Sequence, residues 1–362
     1  MMAIGLSCTS TRVEPCPTCP PPGGKDSSFT ITNPFWSSDG KRILFIGHIF
    51  GLEGYDFYEV DSAGGVARLV MRDSLAKRTP VLSPDGLKIA YLAADISHLF
   101  SATHVWLMNA DGTGAHDLTP FGGNWENIRW SPDDHYLIFE GGVRDSGIVN
   151  YQIGRVDVQS GEVTFLTRGN YGNRDASYIA GGAKIAFTSG RIPTDYGGKV
   201  WVMNADGTMP VPIDTSPTAS TNPRTSPARD ELFFAWGLGG EADAGTYLIN
   251  LDSTILPARP SSFESIYPRA GLDVSQWSPD GNLILYLVGT SALTSDLFII
   301  DRNGSNSRRL TTNLQAFLFT YAWSPEGKRL AFLAKTASID TIGIYVYSLN
   351  TNTLKRLSIG RN

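Results

Sequence analysis

Cysteine is missing from almost the whole chain: of 362 residues only Cys8, Cys16 and Cys19 carry a thiol. That excludes a disulfide-built scaffold, and a cysteine-free body is compatible with an oxidising compartment. No apolar run approaches the roughly 18 residues that cross a bilayer as a helix. Basic excess is also lacking. With 30 Lys and Arg against 35 Asp and Glu, the net charge is -5, so the chain carries no footprint for nucleic acid, which needs a basic face. A sustained 3.6-residue hydrophobic period is absent too, so almost no helix is expected. Histidine is scarce: His48, His98, His104, His116 and His135 are the five. None belongs to H-E-x-x-H or stands at ligand spacing from a cysteine. Nor is there a G-x-S-x-G nucleophile elbow or an EF-hand loop.

What is present suits a soluble chain of many short strands. Hydrophobic residues make up 41%, and 38 glycines and 21 prolines are scattered along the sequence. Residues 1–28 stand apart, dense in Pro, Ser, Thr and Gly and without periodicity. They read as a disordered tether or a truncated lipoprotein signal. "GLSC" ending at Cys8 is similar to the end of a bacterial lipoprotein signal, which makes Cys8 the lipidation candidate. Gly5 stands where that motif usually has Leu, and "MMAIGL" is shorter than an apolar signal core of about 7–15 residues. "CPTC" (Cys16 to Cys19) has CxxC spacing but neither further zinc ligands nor a helix behind it, so it reads as thiols in a tail.

One phrase recurs along the rest. "FWSSDGKRILFIG", "VLSPDGLKIAYLA", "RWSPDDHYLIFEG", "QWSPDGNLILYLV" and "AWSPEGKRLAFLA" share a tight turn and an alternating apolar run. Aligned on the turn serine, the anchors are Ser37, Ser83, Ser131, Ser226, Ser278 and Ser324, and a degenerate copy puts Ile179 in the remaining gap. The intervals are 46, 48, 48, 47, 52 and 46 residues. About 25 residues into each unit comes a second landmark, as in "VWLMNADGTG" (105–114) and "VWVMNADGTM" (200–209), followed by a short stretch such as "HDLT" or "RRLT". Both landmarks are hairpin signals, since Asp-Gly and Asn-Gly accept the positive φ of tight reversals. Each unit therefore reads as four strands, A to D. A lone four-stranded sheet cannot bury both faces, whereas seven stacked radially can. The fold class expected is all-β, a seven-bladed β-propeller of four-stranded antiparallel blades over residues 29–362. Its blades are expected near 30–71, 77–119, 125–167, 173–214, 220–257, 272–311 and 318–358. Closure is expected by packing blade seven on blade one, with a shared blade only if 27–31 pairs with the last sheet.

The ordered pair of motifs, W-S-P-D-G-x-x-I-A-F and V-W-x-M-N-A-D-G-T followed by L-T, resembles the WD-like repeat of TolB-type β-propellers over about nine-tenths of the chain. The resemblance implies the propeller fold. TolB has six blades behind an α/β domain, while this sequence shows seven units and no such domain, so the Tol-Pal role is not implied.

Trp36, Trp130, Trp277 and Trp323 recur at one repeat position, with Leu82, Tyr178 and Thr225 in the other copies. Recurrence blade after blade marks packing. Asp111 and Asp206 recur likewise and read as turn residues rather than calcium ligands. The residues three and four before the Trp position open strand A beside the channel and form a mostly polar ring. Its binding candidates are Arg78, Glu126, Arg174, Asp175, Asn222 and Asp273. Two readings fit the ring: a hydrated channel of ion pairs, or a pocket for a charged small molecule, a peptide end or a metal ion such as calcium. No other cofactor is implied. On the face carrying the B–C and D–A loops, Trp125, Tyr171, Phe263 and Tyr267 are candidates for contacting a protein or glycan partner. The longest loop, 257–273, carries the last two. The function expected is a non-catalytic binding or scaffolding propeller of the bacterial envelope, periplasmic or on the extracellular surface, monomeric, with a lipid anchor as an option. The alternative is a metal-dependent lyase or hydrolase at the channel mouth.

Overall fold

In the computed structural model the residues described are 29–49, 55–95, 102–120, 123–145, 148–194, 197–213, 219–236, 245–251, 264–267, 276–291, 294–312, 314–336 and 339–360. Cys8 and the CPTC stretch lie outside them. No helix of the structure is long and apolar enough to cross a membrane. Seven four-stranded antiparallel sheets follow one another in chain order, at 29–71, 75–117, 125–165, 173–212, 220–267, 276–309 and 314–356. The architecture is a seven-bladed β-propeller.

Period-two alternation explains why the blades stack. In strand B of blade one, Arg42–Ile49, Ile43 and Phe45 face blade seven, while Leu44 and Ile46 face blade two. Successive side chains of a strand point to opposite faces, so the apolar run of each blade feeds two interfaces. Seven apolar clusters result among the described residues, one between each pair of neighbours.

The recurring serine is a buried pivot. Ser83 donates its backbone N–H to Lys88 O at 2.9 Å, and its carbonyl accepts Gly86 N at 2.9 Å. Its hydroxyl accepts Lys88 N at 2.9 Å and donates to Asp85 Oδ1 at 2.6 Å. The same hydroxyl-to-carboxylate bond joins Ser37 to Asp39, Ser131 to Asp133 and Ser278 to Asp280. The serine hydroxyl holds the Asp39, Asp85 and Asp133 carboxyls below the usual range. Asp111 and Asp206 close the C–D turns, each accepting the hydroxyl of the Thr two residues on at 2.6 Å. Those turns abut the neighbouring blade: a Cβ on Gly112 would stand 2.6 Å from Val70 O, and one on Gly207 2.7 Å from Leu166 O.

The tryptophans staple blades. Three of the four indole N–H groups reach the carbonyl immediately before the Trp position of the preceding blade: Trp36 to Ala322 at 3.1 Å, Trp130 to Val81 at 3.1 Å, Trp277 to Arg224 at 2.9 Å. Where Thr225 replaces Trp, its hydroxyl pairs with that of Ser177 at 2.6 Å. Trp323 is buried but its Nε1 finds no acceptor among the described residues.

The ring closes as expected, by packing. Phe29–Trp36 is strand A of blade one and pairs with Arg42–Ile49, not with the last sheet. A further device was not legible in the repeats: Ile359–Gly360 runs parallel to Gly65–Val66, and Gly65 N donates to Ser358 O at 2.9 Å. One expectation is corrected. The outer strand of blade five is Glu264–Tyr267, paired with Gly245–Asn250, so the stretch read as a loop over 257–273 contains a strand. In blade five the outer strand follows strand C at a longer distance along the chain than in the other blades.

The staples make a differential prediction. Trp277→Phe strands the Arg224 carbonyl, whereas Trp323→Phe removes a donor that has no acceptor. In urea unfolding, the first should destabilise by about 1 kcal/mol more than the second; equal losses contradict the staple. The turns make a second. A depressed folded pKa adds stability that is present above the unfolded carboxylate value, about 3.9, and lost as pH falls through the folded one. Ser83→Ala should therefore raise the Asp85 pKa, read by carboxyl NMR, and flatten the loss of stability below about pH 4; an unmoved Asp85 refutes the coupling.

Candidate functional site

The inner strands curve around the channel through a shared irregularity. Strand A of blades one to five shifts register at the positions before the Trp site. At each bulge one residue is left-handed: Asn33 at φ 49°, Thr79 at 52°, Asn127 at 52°, Asp175 at 58° and Asn222 at 54°. Asn and Asp tolerate that conformation better than other residues with a Cβ. Part of the polar ring therefore answers a backbone requirement, and this covers the predicted site residues Asp175 and Asn222. A bulge beside a channel also re-aims its side chains.

Of the other channel candidates, the structure brings Glu126 and Arg174 together through Tyr151. The Tyr151 hydroxyl donates to Glu126 Oε1 at 3.5 Å, and the Arg174 guanidinium lies 4.2 Å from the Tyr151 ring centre. Arg78 is apart from them and donates to Thr103 Oγ1 at 2.8 Å. Asp273 lies outside the described residues. Beneath this mouth Glu140 is buried, accepting Asn127 Nδ2 at 3.1 Å and the Asp175 backbone N–H at 2.7 Å. Burial pushes its carboxyl up, against those hydrogen bonds.

Deeper in the channel lie residues the sequence reading did not select. The position before the Trp site holds Arg129 in blade three and Arg224 in blade five, where other copies have Phe35, Val81, Ser177, Gln276 and Ala322. A cavity of about 470 Å³ opens among the inner strands of blades one, two, six and seven, lined by Phe35, Val81, Gln276, Tyr321 and Ala322 with neighbours, and neither arginine is in its lining. Burial, then the like charge of Arg224, lower the Arg129 pKa to about 10, and Nε of Arg129 is buried without a hydrogen-bond partner. The findable signal was two arginines at one repeat position.

On the loop face, Trp125 is buried against Phe139, ring centres 4.5 Å apart. That corrects its reading as an exposed contact, because its faces are taken up by packing. Tyr171 is half-buried, its hydroxyl accepting Arg191 Nε at 3.0 Å and its carbonyl Gln152 Nε2 at 2.9 Å. Phe263 lies outside the described residues. Tyr267 is in the outer strand of blade five.

His104 belongs to a repeating rung. The residue before each V-W-x-M-N landmark is Asp56, His104, Gln152, Lys199, Thr246, Asp296 or Gly343. Asp56 pairs with Arg72 at 2.9 Å, His104 Nδ1 with Asp117 Oδ2 at 2.6 Å, and Asp296 with Arg309. The rung ties strands C and D, so the histidine is engaged structurally. Among the described residues no three His, Cys, Asp or Glu side chains gather as a metal site would require.

No protein-family profile matches the chain. It is 26% identical over 264 residues to an uncharacterized protein of Agrobacterium fabrum, covering 70% of this chain and 83% of that one. Among solved structures it superposes on an oligogalacturonate lyase in complex with manganese at TM-score 0.67 and 16% identity, covering 89% of this chain and 90% of that one. With TolB from Acinetobacter baumannii the TM-score is 0.52 and the identity 15%, over 90% of this chain and 65% of that chain's length. At such identities the likeness is one of fold.

If the ring is conformational, Asn33→Gly should leave stability within about 0.5 kcal/mol, while Asn33→Val should cost about 1–2 kcal/mol. Equal effects in thermal unfolding would show that the side chain, not the φ angle, decides. Repeat, bulge and superposition agree on one architecture: the chain folds as a seven-bladed β-propeller.

Proposed function

We propose that this protein is a non-catalytic binding propeller of the bacterial envelope, periplasmic or on the extracellular surface, monomeric, and engaging a protein or glycan partner at its channel mouth. The observation that carries the reading is the Glu126–Tyr151–Arg174 cluster, with Arg174 exposed at the rim on a rigid stack of sheets. Opposite charges held on one aromatic give a partner both a polar and a flat apolar contact. The TolB-like fold supports the same reading, and Cys8 supplies the lipid acceptor of an anchored form. A metal-dependent lyase or hydrolase at the same mouth is the second reading, favoured by the shared fold with a manganese-bound oligogalacturonate lyase.

Two measurements on the full chain separate them. Arg174→Glu should weaken capture of the envelope partner by on the order of tenfold while the melting temperature stays put. Elemental analysis after purification without chelator should show no stoichiometric metal, and oligogalacturonate with added manganese should yield no unsaturated product. One bound metal per chain, with product formation lost in Glu126→Ala, would replace the binding reading by the enzymatic one.

A further inference from the structure

We propose that a cavity of about 350 Å³ on blade two is a site for an alkylammonium group, held by His104 and Trp106. This rests on the binding reading and names the chemistry of one contact that a partner makes. The lining comes from strand ends that meet the B–C and D–A loops. Leu75 opens strand A, Ala93 and Asp95 stand at the end of strand B, His104 and Trp106 begin strand C, and Asp117 closes strand D. In the ladder Leu75 pairs with Asp95, Ala93 with His104, and Trp106 with Asp117. Partners across a ladder and alternate residues along a strand share a face. All six therefore stand on one face of the sheet, the face packed toward blade one.

The polar side of this cavity is fixed before any ligand arrives. Thr119 N–H donates to Asp117 Oδ1 at 2.9 Å, and Asp117 Oδ2 accepts from His104 Nδ1 at 2.6 Å. An ionised carboxylate only accepts, so Nδ1 carries the proton and Nε2 of the neutral ring is left as an acceptor. Nε2 has no hydrogen-bond partner among the described residues. The rung thus occupies one nitrogen of the ring and leaves the other for the cavity that His104 lines. Trp106 is half-buried and stacks on the buried Tyr91, ring centres 6.3 Å apart, which holds the indole in place. Among the described residues no Lys or Arg lines the cavity. Lys77, two residues beyond Leu75 on the same face, is buried and paired with Asp73. Asp95 at the rim has a partner of its own, so the acceptor is His104, backed by the charge of Asp117. An acceptor backed by negative charge, beside an indole, selects a cationic donor over an anion. A neutral hydroxyl would gain the hydrogen bond but not the attraction of a positive charge to the indole and to Asp117. Leu75, Ala93 and Ala94 give apolar wall to the methylenes that carry the ammonium.

The test uses the full chain labelled at histidine nitrogen. It is titrated at constant ionic strength with n-butylammonium, Nα-acetyl-lysine amide, its Nε-acetylated form, acetate and glucose. The expected result is a saturable shift of the His104 Nε2 resonance with both amines, absent with the Nε-acetylated form. By calorimetry, amine affinity should fall about tenfold in His104→Asn, which keeps an N–H for Asp117 but removes the Nε2 acceptor. In Trp106→Phe, which keeps a ring against Tyr91, it should fall about threefold, since indole is the better cation partner. The second variant carries the test should the first melt lower than wild type. Tighter binding of the lysine amide identifies a side chain of a protein partner as the source, and tighter binding of butylammonium identifies a free amine; both support the site. Tighter binding of acetate or glucose than of either amine overturns the assignment of a cation. Absence of saturable binding, or unchanged affinity in both variants, overturns the site. If that happens while Arg174→Glu still loses the partner, the inference fails and the binding reading stands.

Discussion

Every sheet in this molecule has two apolar faces, and no sheet can bury both alone. That constraint organises the rest. Alternate residues of one strand serve opposite interfaces, as Ile43 and Phe45 do against blade seven and Leu44 and Ile46 against blade two. Seven interfaces follow, and the last must join the first blade. The join is reinforced where it forms: Trp36 donates to Ala322, Arg329 lies 4.4 Å from the Trp36 ring centre, and the 359–360 clip adds to blade one. The polar residues of the repeat serve the same end. Buried serines tie the A–B turns, and indole N–H groups satisfy carbonyls that stacking would otherwise leave without partners.

The repeat made the architecture readable because its signals are local and recur. Ser-Pro-Asp-Gly, Asn-Ala-Asp-Gly-Thr and the Trp position each name a turn or an interface, and seven copies fix the blade count. What recurrence could not show was conformation. Asn33, Thr79, Asn127, Asp175 and Asn222 look like a ligand-facing ring when only residue type is visible, yet all five occupy left-handed bulges. Trp125 looked like a loop aromatic because it stands beside glycines, but its ring packs on Phe139. The blade-five strand at Glu264–Tyr267 was hidden by its distance from the turn that precedes it. Arg129 and Arg224 were overlooked for the opposite reason: they stand beside the repeat's Trp position, which reads as packing. The other copies place Phe35, Val81, Ser177, Gln276 and Ala322 there.

A propeller concentrates whatever its inner strands project, because seven strands converge on one axis. Here the mouth carries Glu126 and Arg174, opposite charges held on Tyr151. Such an arrangement suits contact with a charged surface. The rung occupied by Asp56–Arg72, His104–Asp117 and Asp296–Arg309 shows the contrast, since there each charge has its partner and the role is structural.

The most direct measurement of this account is a crystal structure of the full chain. The account predicts seven blades with the indole N–H groups of Trp36, Trp130 and Trp277 on the carbonyls of Ala322, Val81 and Arg224, and left-handed backbone at Asn33, Thr79, Asn127, Asp175 and Asn222. Indoles turned away from those carbonyls, or extended backbone at those five positions, would contradict it.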